Sequence, residues 1–128
     1  MTYHIKFKSK QEESEFPVLK KRAQIIAQDM AQYCHINGFD FIITDVMSDG
    51  SEDKKLKRVS RAHTERRAFD VRSIVWTKEF REKLEKHFEE KYKDWAALSE
   101  KTLKPNLIEW HDNGNGQHFH VQIKPYKE

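Results

Sequence analysis

"LIEWHDNGNGQHFHVQIK" (Leu107–Lys124) decides the fold. Apolar and polar residues alternate on both sides of a Gly- and Asn-rich interruption, which is the pattern of two antiparallel strands joined by a somewhat long hairpin loop. Side chains alternate across a strand, so Phe119, Val121 and Ile123 share one face while His118, His120 and Gln122 share the other. In the partner strand Ile108 and Trp110 take one face and Glu109 and His111 the other. The apolar face must meet the core. One face of the hairpin therefore carries Glu109, His111, His118 and His120.

Upstream, "YHIKFK" (3–8) alternates as a first strand would, and "SKQEESEF" (9–16) reads as a polar link. Pro17 suits the first turn of a helix, where its missing N–H costs little. Leu19, Ala23, Ile26, Met30, Tyr33 and Cys34 then recur at helical spacing, and Asn37-Gly38 supplies a stop. "FDFIITDVM" (39–47) is short, apolar and β-branched, a buried strand followed by a charged loop over Ser48–Arg58. "RRAFDVR" (66–72) reads as the next strand, with Phe69 and Val71 on one face and Ala68, Asp70 and Arg72 on the other. "TKEFREKLEKHFEEKYKDW" (77–95) gives a second helix, with Thr77 as N-cap and Phe80, Leu84, Phe88 and Trp95 as its buried stripe. The expected fold is α+β, a small, largely antiparallel sheet with two main helices and a C-terminal hairpin.

Composition sets the outer bounds. A chain of 128 residues suits a single domain with one modest core, and 8 Phe, 4 Tyr and 3 Trp are enough to fill it. With 24 Lys and Arg against 21 Asp and Glu, the charge excess is too small for a dense phosphate-binding stripe, so nucleic acid is not the expected partner. The lone cysteine, Cys34, has no partner for an intramolecular disulfide and falls in the apolar helical pattern, as a buried thiol would. No apolar run approaches the roughly 18 residues of a membrane span, and the first residues lack a signal-peptide core; synthesis in the cytoplasm without an export signal is the expectation.

His63 lies seven residues before Asp70 in "RAHTERRAFDVRS" (Arg61–Ser73). Alternation turns Asp70 away from the core, toward the side on which the hairpin carries its histidines. If the two segments share a sheet, His63, Asp70 and one histidine of His118-Phe119-His120 make two imidazoles and a carboxylate. That is the three-ligand set of a catalytic zinc site with an open fourth position. His4, His35 and His87 belong to no such pattern.

His-x6-Asp followed downstream by His-x-His resembles the zinc peptidases that group lysostaphin-type enzymes, D-alanyl-D-alanine carboxypeptidases and the Hedgehog signalling domain. "SRAHTERRAFDVRS" is similar to the family segment Ser-x-His-x-x-Gly-Arg-Ala-x-Asp, matching at His63, Arg67, Ala68 and Asp70. The likeness is greatest to small phage and bacterial D-Ala-D-Ala carboxypeptidases and L-alanyl-D-glutamate endopeptidases, and it covers roughly residues 40–124. It implies Zn2+ as cofactor, with His63, Asp70 and His120 as ligands, His118 as an assisting catalytic residue, and Arg61 and Arg67 as substrate-binding residues. The implied substrate is a peptidoglycan peptide. A monomer is expected, and the lack of an export signal fits either a phage lysin released to the cell wall through a holin or a cytoplasmic enzyme. Three positions depart from the pattern: Arg66 stands at the family glycine, the serine falls at Ser60, and Gln117 replaces the acid three residues before the last ligand. The base is then His118, Glu109 or Asp112.

Two other readings fit part of the pattern. One is a non-catalytic, metal-binding descendant of the same fold. The other is a single-strand DNA nicking enzyme, whose His-hydrophobe-His motif "HFHV" is similar and whose nucleophile would be Tyr92, Tyr33 or Tyr3.

Overall fold

The computed structural model describes residues 4–46, 66–99, 102–112 and 117–126, and for His111 and Asp112 the backbone alone. The expected charged loop 48–58, the hairpin loop, Tyr3, Arg61 and His63 lie outside the described residues. Five strands, β1 (Ile5–Phe7), β2 (Phe41–Asp45), β3 (Ala68–Arg72), β4 (Ile108–Asp112) and β5 (Gln117–Gln122), form one sheet in the order β1-β2-β3-β5-β4. β1 and β2 pair in parallel and every other pair is antiparallel, so the sheet is mixed but mostly antiparallel, as expected. Among the described residues, three helices, α1 (Lys10–Glu15), α2 (Lys21–Ile36) and α3 (Lys78–Lys91), join the sheet in an α+β fold. The parallel β1–β2 pair follows from the helical crossover between them, since parallel neighbours need a long connection.

The segment 9–16 is not a link. It forms α1, because Ser9 accepts from the Gln11 amide (3.2 Å) and donates its hydroxyl to Glu12 (2.7 Å). Ser9 and Glu12 have the spacing of a capping box, and that spacing was the available sequence signal. Pro17 sits in a single 3-10 turn, Phe16–Val18, and the long helix starts at Lys21. α2 buries Ala23, Ile26, Ala27, Met30, Ala31 and Cys34, then stops at Asn37 and Gly38, whose φ of 81° lies in the left-handed region open to glycine. Thr77 caps α3 by accepting from the Phe80 amide at 3.1 Å, and Phe80, Leu84 and Phe88 are buried.

The helices cover one face of the sheet. Phe41 and Ile43 of β2, Phe69 and Val71 of β3, Ile108 of β4, and Phe119 and Val121 of β5 join Ile26, Met30, Leu84 and Phe88 in one core. Trp76 closes the join, edge-on to both Phe80 and Phe119, while its indole N–H donates to the Asp40 carbonyl at 2.8 Å. Burial of this face fixes strand register, because a slip of one residue would send every apolar side chain to the wrong side.

Candidate metal centre

With Phe69, Val71, Phe119 and Val121 committed to the core, the residues between them point to the opposite face. Register then sets the neighbours. Asp70 of β3 lies opposite His120 of β5, Arg72 opposite His118, and Ala68 opposite Gln122. On the other side of β5, Glu109 lies opposite His120 and His111 opposite His118. Asp112 pairs with Gln117, one step out of phase with the Glu109–His120 and His111–His118 pairs.

Asp70 and His120 are in direct contact. Asp70 Oδ1 is 3.0 Å from His120 Nδ1, both side chains are largely buried, and His120 Nε2–H donates to Gln122 Oε1 at 2.8 Å. An Nδ1 that faces a carboxylate oxygen can donate its proton to it in a hydrogen bond or share a metal ion with it. Two ligand atoms on a tetrahedral zinc with bonds of 2.0–2.1 Å stand about 3.3 Å apart. The pair would have to part by only a few tenths of an ångström, and Gln122 would hold the ring by its other nitrogen, as outer partners of metal-bound imidazoles do. Asp70 and His120 are two donors of the kind that zinc takes. Among the described residues, no three His, Cys, Asp or Glu side chains are grouped to hold a metal ion, and the expected third ligand, His63, lies outside them.

β2 adds a residue that strand alternation does not find. Ile43 lies opposite Val71 but Asp45 opposite Asp70, so β2 carries one extra residue there. The bulge lets Val46 return to the core while the half-buried Asp45 continues the line Asp70–His120–Glu109 across four strands. Only a bulge brings Asp45 to that line. The exposed Glu109 accepts from Asn106 Nδ2 at 3.2 Å.

Arg66 has a φ of 66°, in the left-handed region that glycine adopts freely and an arginine enters only at a cost. Arg67, expected to bind substrate, is buried and donates from Nη1 to the Ile123 carbonyl at 2.7 Å, tying the start of β3 to the end of β5. His118 is half-buried on the histidine face.

Two of the tyrosines named for a nicking reaction, Tyr92 and Tyr33, fall on the helix side. Tyr92 donates its hydroxyl to Asp29 at 2.5 Å, and burial together with that carboxylate pushes its pKa far above the usual phenol range. Tyr33 stacks on His87 and Phe80. Cys34 is buried, and burial pushes its thiol up to about 12. Among the described residues, no helix is long and apolar enough to cross a membrane. Comparison with family models, with curated proteins and with solved structures finds no match for this chain.

Proposed function

We propose that the chain is a zinc-dependent peptidase that hydrolyses peptide bonds of peptidoglycan stem peptides or cross-links. The observation that carries the reading is the Asp70–His120 pair: two side chains fifty residues apart in sequence, each singled out by its motif, with Oδ1 and Nδ1 3.0 Å apart.

Zinc, when bound, supplies a hydroxide nucleophile near neutral pH and polarises the scissile carbonyl. His63, Asp70 and His120 would hold it, with Gln122 orienting His120 by accepting a hydrogen bond from its Nε2–H. His118, two residues along the same strand and about 7 Å away, would reach toward the scissile bond and pass a proton to the leaving amine. His118, Glu109, which lies opposite His120, or Asp112 would take the proton from the attacking water.

The test pairs metal content with turnover. Purified protein is expected to hold close to one zinc per chain and to shorten muropeptides until a chelator is added. His63→Ala and Asp70→Ala are expected to lose both metal and activity. Full zinc retention in the two variants would remove the site, and a covalent tyrosine adduct on single-stranded DNA would replace the peptidase with a nickase.

A further inference from the structure

Arg72 shares the histidine face without taking part in its contacts. It is half-buried at the end of β3, directly opposite His118, and among the described residues it has no hydrogen-bond or ion-pair partner. The one carboxylate on its own strand, Asp70, turns Oδ1 to His120 instead. Continuing the Ile43–Val71 pairing by one step puts Ile42 on its β2 side, so its lateral neighbours are an aliphatic side chain and an imidazole. A guanidinium offers a planar fork of five donors suited to gripping a carboxylate in bidentate fashion. With no acid across from it among the described residues, that fork is available to a substrate at the proposed centre.

We propose that Arg72 binds the α-carboxylate of the residue released by hydrolysis and so selects the bond that is cut. This rests on the peptidase reading above. The reacting carbonyl carbon and the α-carboxylate carbon of the leaving residue are three bonds apart, about 3–4 Å; with a contact of about 2.8 Å at the carboxylate, the span approaches the roughly 7 Å between positions 70 and 72 on a strand. In an ordinary internal peptide bond the same place holds a neutral amide carbonyl, which leaves the guanidinium without a charged partner. Two kinds of leaving residue carry the required carboxylate. One is a C-terminal residue, and the other is a glutamate that continues the chain through its γ-carboxyl and keeps its α-carboxylate free.

The experiment uses matched peptides on zinc-loaded protein. An acyl-D-Ala-D-Ala acid is compared with its C-terminal amide, and an L-Ala-γ-D-Glu-Lys peptide with its α-amide. Dissociation constants come from NMR titration and hydrolysis from mass spectrometry. Wild type is expected to favour the acid over the amide by at least about tenfold in one of the two pairs, and that pair names the bond. Arg72→Gln is expected to keep its zinc and its circular dichroism while the ratio falls to within about twofold, and Arg72→Lys to keep part of the preference because it retains charge without the fork. Equal binding of acid and amide by wild type, or an undiminished preference in Arg72→Gln, overturns the assignment. A preference that Arg72→Gln abolishes, with neither peptide hydrolysed, supports Arg72 as the carboxylate site and removes the peptidase reading instead.

Discussion

At the scale of single residues, the conformation of Arg66 is the feature most open to direct test. A non-glycine residue in the left-handed region costs about 1–2 kcal/mol, and its one side-chain contact, Nη1 to the Val18 carbonyl, is long at 3.5 Å. Its backbone carbonyl, which accepts from the Lys20 amide at 3.0 Å, survives any substitution. Arg66→Gly is expected to raise stability by up to about 1 kcal/mol, part of the strain relief being offset by the greater freedom of glycine in the unfolded chain. Denaturant unfolding measures this. A loss of more than about 1 kcal/mol would mean that the arginine side chain holds the turn.

At the scale of the element, β5 carries two jobs on opposite faces. Phe119 and Val121 pin the strand into the core, while His118 and His120 project from the other side, two residues apart. His120 touches Asp70 and Gln122, whereas His118 lies between Arg72 and the backbone position of His111. His120→Ala is expected to lose metal and activity together. His118→Ala is expected to keep the metal but to lower turnover by about 10²–10⁴-fold, the range for a lost general acid or base. Zinc content measured beside kcat separates the two. Loss of zinc from His118→Ala with retention in His120→Ala would invert the roles, and retention of metal and rate in both would take the active site off this face.

At the scale of the whole molecule, the expected ligands come from β3, from β5 and from the segment holding His63, so a bound ion ties distant parts of the chain together. An ion that binds only the folded form stabilises it by about 2.7 kcal/mol at a hundred times its dissociation constant. For a chain of this size that amounts to a rise in Tm on the order of 10 °C. Chelation should reverse the rise, and Asp70→Ala should abolish it without changing the Tm of the chelated protein by a comparable amount. An equal zinc-induced rise in Asp70→Ala would show that the ion sits elsewhere.

The sequence by itself determined whatever depends on neighbours within a few residues. Thr77 before an amphipathic run, Asn37-Gly38 after one, and the strict alternation of His118 through Ile123 were legible because caps, stops and strand faces are local chemistry. Ser9 and Glu12 were equally local, but a charged stretch hid their capping pattern. Tertiary structure alone decided which strands lie side by side and in what register. Asp70 meets His120 across β3 and β5, and the bulge between Ile43 and Asp45 extends the line to Asp45. Arg72 comes to face His118 with no acid opposite it. The reason is physical: alternation fixes the face of each side chain, whereas register is fixed by the close packing of Phe69, Val71, Phe119 and Val121 under the helices, a condition that no segment satisfies alone.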